Sequence, residues 1–202
     1  MAEENLNNSS ENKQDKKSFW QGFLSSAWEI VKIVVIASVI VLPIRYFLFQ
    51  PFIVKGESMM PNYQDGNYLI IDEISYRFIE PKRGDVIVFK TEFIAGYKND
   101  RFIKRIMALP GESIEIKNNK VTITKGEEVL NINENKYLPG VETIGDIKKT
   151  LGNDEYFVMG DNREHSFDSR IWGSLPKKDI VGKVFLRLLP IDKLELATTP
   201  IY

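Results

Sequence analysis

Cysteine is absent from this 202-residue chain, and histidine occurs once, as His165. The first absence removes disulfides, thiolate metal sites and a cysteine nucleophile from consideration. The second makes a histidine-rich metal centre unattainable, and any Ser/His/Asp triad has to pass through His165. An excess of either charge is also missing: 27 Lys and Arg stand against 28 Asp and Glu, a formal charge of -1. Such a balance gives no reason to expect nucleic acid as a partner. No glycine-rich phosphate loop opens a helix, and no internal repeat is visible.

Long apolar runs are lacking too, with one exception. Residues 1–17, "MAEENLNNSSENKQDKK", are polar and show no apolar period, as in a disordered tail. Ile33 to Ile44 then reads "IVVIASVIVLPI" without a charge. That core is shorter than the ~20 residues a bilayer crossing needs, but Lys32 and Arg45 can snorkel at its edges. Trp28 to Phe49 therefore has the length to span, with Trp28, Tyr46 and Phe47 at the interfaces. A buried core helix would carry a polar face, and a cleaved signal peptide would end in a small-x-small exit site; "PIRYFLFQPF" is bulky throughout. Lys13, Lys16, Lys17 and Lys32 lie on the N-terminal side of the uncharged run, against Arg45 and Lys55 beyond it, which puts the N-terminus in the cytoplasm. The expected organisation is a cytoplasmic tail through residue 27, a single transmembrane anchor over 28–49 and an extracytoplasmic domain over 50–202.

That outer domain reads as mostly β. Short runs rich in Ile, Val, Phe and Tyr at 67–72, 84–90, 101–109, 111–116, 120–124, 155–161 and 180–189 are separated by Gly, Pro, Asn and Asp. "KNNK" (117–120) predicts a hairpin turn. Residues 117–154 are more polar than their flanks and read as a small subdomain or cap inserted into an antiparallel β-sheet core.

Three stretches carry candidate chemistry. In "VKGESMMP" (54–61), Ser58 stands between Gly56 and Pro61 beside two methionines, where a solvated turn prefers polar residues. Read as a strand, Phe52, Val54 and Gly56 share one face, and a glycine there lets another backbone approach. In "RFIKRI" (101–106), alternation sets Lys104 between Phe102 and Ile106, with Arg101, Ile103 and Arg105 opposite. A lysine in apolar surroundings loses its proton more readily and can serve as a base; an edge-strand lysine that blocks aggregation is the bland alternative. "GDNREHSFDSR" (160–170) concentrates Asp161, His165, Ser166, Asp168 and Arg170 between apolar segments. Asp161, Asn162 and Asp168 are not spaced as a calcium loop, and Arg163 and Arg170 oppose a cation.

Together these stretches resemble bacterial type I signal peptidases, the membrane-anchored Ser/Lys proteases that act on exported proteins. "GESMMP", "RGDVIVF", "RFIKRIMALPGE" and "GDNREHSFDSR" follow the order of that family's motifs, and the short form with one anchor is similar to its Gram-positive branch. The resemblance implies that Ser58 is the nucleophile and Lys104 the general base. It further implies that Ser166 orients the lysine, and that Asp168 with Arg170 forms a structural pair supported by Asp161. Phe52, Val54, Gly56, Met59, Phe102 and Ile103 would shape shallow pockets for small residues at positions −1 and −3 before the cut. Phe49, Phe52, Met59 and Met60 would lie at the outer leaflet, where a substrate's own apolar segment emerges. No cofactor or metal is implied; the partners are secretory pre-proteins and the bilayer, and the protein is expected to be monomeric. Gly56 replaces a serine that donates to the oxyanion in some members, which leaves the Ser58 N–H and a second donor still to be identified.

Overall fold

The computed structural model describes residues 28–39, 41 and 49–200. The chain separates into two compact units, Met1–Tyr46 and Phe47–Tyr202. In the first, residues 28–39 are helical and nearly all exposed, and no described helix is long and apolar enough to cross a membrane. The expected tail through residue 27, and residues 40 and 42–48 of the expected anchor, lie outside the described residues.

The second unit is built from two antiparallel sheets. β1 (Phe49–Ile53), β2 (Tyr68–Asp72), β3 (Val86–Lys90) and β4 (Arg101–Ala108) lead into β5 (Ser113–Lys117), β6 (Lys120–Lys125), β7 (Glu128–Asn131) and β8 (Ile147–Thr150). β9 (Glu155–Met159), β10 (Leu175–Pro176), β11 (Ile180–Leu189) and β12 (Glu195–Leu196) complete the order. The larger sheet runs β1-β2-β11-β3-β4-β9-β10, with β12 on β11; the smaller runs β7-β6-β5-β8. Each predicted run contains a strand; β3, β4 and β9 are buried on both faces, whereas β2, β5 and β6 bury alternate residues. β5 and β6 alternate buried and exposed positions, directing Ile114, Ile116, Val121 and Ile123 inward. "KNNK" turns as predicted: Lys117 pairs Lys120, and Asn118 and Asn119 take positive φ of 49° and 60°. Asparagine is among the few residues that tolerate this conformation, which a tight hairpin requires.

The smaller sheet begins at Ser113, ahead of residue 117, because β5 is one of its two inner strands. Nor is it a loose appendage. Its Ile114, Ile116, Val121 and Ile123 pack in one apolar cluster with Met107 and Ala108 of β4 and with Phe157 and Met159 of β9. β4 also reaches a second cluster through Ile103, with Val54, Met59, Leu69 and Val88. It joins a third through Ile106, with Ile87, Phe89, Tyr156 and Val158. One eight-residue strand thus feeds every apolar core of the unit.

Candidate active site

β1 stops at Ile53, so the extended reading through Glu57 does not hold. Val54 still exchanges backbone bonds with the turn after Tyr63, its N–H reaching Asn67 O at 3.0 Å and its carbonyl accepting from Gly66 N at 2.9 Å. The chain then bends. Gly56 has φ +84°, and a Cβ there would meet no described atom within 4 Å. Glycine is present for the left-handed backbone and not for close approach, which corrects the expectation. Its N–H donates to Asp65 Oδ1 at 2.7 Å, and residues 57–62 coil into turns that hold Ser58 half-buried.

Lys104 projects from β4 and is 4% exposed. Its Nζ donates to Ser58 Oγ at 2.8 Å and to Ile103 O at 2.9 Å, 5.4 Å from the centre of the Phe102 ring. Burial lowers the ammonium pKa from 10.5 to about 8, while the carboxylates of Asp168 and Asp161 pull it the other way. Desolvation prevails because the side chain is almost wholly buried and neither carboxylate is its hydrogen-bond partner. A poised amine therefore contacts a hydroxyl, the arrangement that activates a serine.

The 160–170 loop grips the backbone around that serine. Asn162 N donates to Ser58 O at 3.0 Å, and Asn162 Nδ2 donates to Glu57 O at 3.2 Å. Gly160 has no room for a side chain: a Cβ would collide with Ser58 O on one side and Ser166 Oγ on the other. Asp168, fully buried, accepts from Gly160 N at 3.0 Å and takes a two-pronged ion pair from Arg170 at 2.9 Å. Asp161 is held from the opposite side by Arg105, at 2.8 and 2.6 Å, and by Asn62 Nδ2 at 2.8 Å.

Ser58 and Lys104 are thus in direct contact, and Asp161, Asp168 and Arg170 belong to the loop that grips the Ser58 backbone. Ser166 is close by and buried, but its Oγ has no hydrogen-bond partner among the described residues. It packs over Gly160 and does not bond to Lys104, whose acceptors are Ser58 and Ile103. Phe52, Gly56, Phe102 and Ile103 do line the cleft in front of Ser58, whose volume is ≈ 530 Å³. Val54 and Met59 do not: at 2% and 0% exposed they belong to the core beneath, so Met59 is also not an interfacial residue. Alternation does set Val54 on the face of Phe52, which packs against the same apolar cluster, but Val54 lies within that core and not on the cleft wall. Phe167 and Asn99–Arg101 line the cleft unforeseen, and Tyr97 stacks on Phe167 at 5.4 Å. His165 also lines it, exposed. Among the described residues no group of three or more His, Asp or Glu is placed to hold a metal.

Residues 27–189 match the family described as signal peptidase, peptidase S26. The chain belongs to this family. Signal peptidase I of Leptolyngbya laminosa is 34% identical over 183 residues, 88% of each chain. Signal peptidase I P of Bacillus subtilis subsp. natto is 37% identical over 83% of this chain and 91% of its own. Signal peptidase IB of Staphylococcus aureus (strain MRSA252) is 31% identical over 83% of this chain and 92% of its own. This signal peptidase is accordingly a serine endopeptidase, and the Lys104–Ser58 hydrogen bond lies in its cleft.

Proposed function

We propose that this peptidase removes signal peptides from secretory pre-proteins, with Ser58 as nucleophile and Lys104 as both general base and general acid. The observation that carries the assignment is the 2.8 Å contact between Lys104 Nζ and Ser58 Oγ, made by an amine whose pKa is lowered to about 8. Neutral Lys104 takes the Ser58 proton as Oγ attacks the carbonyl carbon of the scissile bond. The oxyanion is stabilised by backbone N–H donors that include Ser58's own. Lys104 then gives its proton to the departing amine, and water, deprotonated by the same lysine, releases the acyl group and restores Ser58.

Substrate enters as an extended segment in the cleft, its small side chains facing Phe52, Phe102 and Ile103. Those apolar walls favour residues of alanine size at −1 and −3, because a larger side chain would have to displace ordered aromatics. The span over 28–49 tethers the enzyme, with its N-terminus cytoplasmic and the catalytic unit on the extracytoplasmic face; the apolar run and the lysine asymmetry around it support this orientation.

The test is processing of a secretory precursor by full-length protein in detergent. Ser58→Ala and Lys104→Ala should each abolish turnover without loss of folding by circular dichroism. His165→Ala should change it by less than about tenfold, well under the ~10²–10⁴ that a general base contributes. Processing by Ser58→Ala at a tenth of wild type, or a thousandfold loss in folded His165→Ala, would overturn the assignment.

A further inference from the structure

The catalytic loop is anchored from a side remote from the cleft. Arg163, 3% exposed, points away from Ser58 into the segment that carries the smaller sheet. Its Nη1 is ion-paired with Glu134 and hydrogen-bonded to Thr143 Oγ1, and its Nη2 donates to Tyr137 Oη at 3.0 Å. Glu134 is itself buried at the start of a 3-10 turn, Glu134–Lys136, and accepts from Thr143 Oγ1 at 2.6 Å. The oxygen partners of both Nη atoms therefore come from residues 117–154, and Nη2 also reaches Met107 Sδ of β4 at 3.9 Å.

What the guanidinium does at its other edge links this cluster to the chemistry. Arg163 Nε donates to Gly160 O at 2.9 Å, and Arg163 O accepts from Arg170 Nη2 at 2.6 Å, while Arg170 holds Asp168. Gly160 is the residue wedged between Ser58 O and Ser166 Oγ. A guanidinium is planar and rigid, so fixing its Nη atoms fixes where Nε can hold the Gly160 carbonyl. Close packing passes a shift of Gly160 to Ser58, whose carbonyl is also held by Asn162 N of the same loop.

We infer that Glu134 is a positioning residue for the Ser58–Lys104 pair, acting through Arg163 and Gly160, and that the 117–154 segment serves as the clamp that holds the catalytic loop against the serine. The inference rests on the assignment of Ser58 and Lys104 above. It gives the inserted segment a part in turnover that substrate contact does not require.

The experiment measures kcat, KM and the pH dependence of kcat for the full-length enzyme on a peptide with alanine at −1 and −3, with thermal melts alongside. Glu134→Gln should lower kcat about 2- to 30-fold, the span of indirect couplings between packed residues. KM should stay within about twofold, because no clamp residue lines the cleft. The midpoint of the ascending limb should move to higher pH as a loosened loop hydrates Lys104 more fully. Glu134→Gln leaves a buried arginine uncompensated, so Glu134→Gln/Arg163→Met and Tyr137→Phe are measured too; the first removes both charges and the second trims a single hydroxyl. Both should keep the kcat loss and the pH displacement with a melt near wild type. Wild-type kcat and pH midpoint in either folded variant would overturn the clamp, as would a loss of activity that tracks the melt with no pH displacement. Lys104→Arg in the same assay separates the two ideas: if it turns over, the dyad fails, and if it is dead while the clamp variants behave as wild type, the clamp alone fails.

Discussion

A lysine acts as a base only in molecules where it has lost its proton. With a pKa of about 8, roughly one Lys104 in ten is neutral at pH 7, and the neutral fraction rises towards one above pH 9. Turnover should therefore climb with pH through a midpoint near 8; a rate flat from pH 6 to 10 would contradict the mechanism. Lys104→Arg should be as inactive as Lys104→Ala, since guanidinium does not deprotonate. The same shift acts on stability. Between about pH 8 and the ordinary lysine range the unfolded chain binds a proton that the native one has released, so stability rises with pH there. Below pH 8 the buried ammonium costs on the order of 1–3 kcal/mol, and Lys104→Met should raise the melting temperature at pH 7 while abolishing turnover. Gly160 gives a second test at this scale. Gly160→Ala drives a methyl into Ser58 O and Ser166 Oγ, and a backbone oxygen cannot rotate out of the way. Loss of kcat should exceed about 10²-fold, the usual cost of misplacing a reacting group by an ångström. Retention of half the activity would show that Ser58 does not depend on this packing.

Among the elements, β4 was the most legible from sequence, and yet half of what it does was not readable there. The period of two correctly set Lys104 beside Phe102 and Ile106, because a strand's alternation depends on neighbours alone. What Arg105 does was invisible, as its partner Asp161 lies 56 residues away and comes to it only when β4 pairs with β9. The bend at Gly56 was missed for a related reason: the register of β1 with β2 ends at Ile53–Tyr68, and Asp65 captures the Gly56 N–H from across the turn. The "RGD" and "ALPGE" stretches turn out to be scaffolding. Arg83 joins both oxygens of Glu112 at 2.8 Å, and Glu112 also accepts from Leu109 N at 2.8 Å, which fixes the connection between the two sheets. The Arg105–Asp161 pair can be tested directly. Asp161→Asn leaves a buried arginine without its counter-charge, so urea melts should show a loss of about 3–5 kcal/mol. Because the Asp161 charge holds the Lys104 pKa up, the midpoint of the rate–pH curve should move to lower pH in the folded enzyme, the reverse of the clamp variants.

For the molecule as a whole, composition and apolar patterning were enough to indicate a β-rich outer unit, and the family resemblance added its catalysis. The relation between its sheets was not readable, since Met107 and Phe157 look like ordinary strand residues until both meet Ile114 and Ile116. That meeting decides how the unit comes apart. Ile103, Ile106 and Met107 of one strand each belong to a different apolar cluster, so withdrawing β4 opens all three at once. The catalytic unit should melt in a single calorimetric step, with equal calorimetric and van't Hoff enthalpies; a separate early transition for residues 113–150 would refute this. Lys104 rides on the same strand. Heat cannot then leave behind an inert but folded enzyme: remaining proteolysis should equal the fraction of chains still native at each temperature, and a timed cleavage assay becomes a thermometer of the fold.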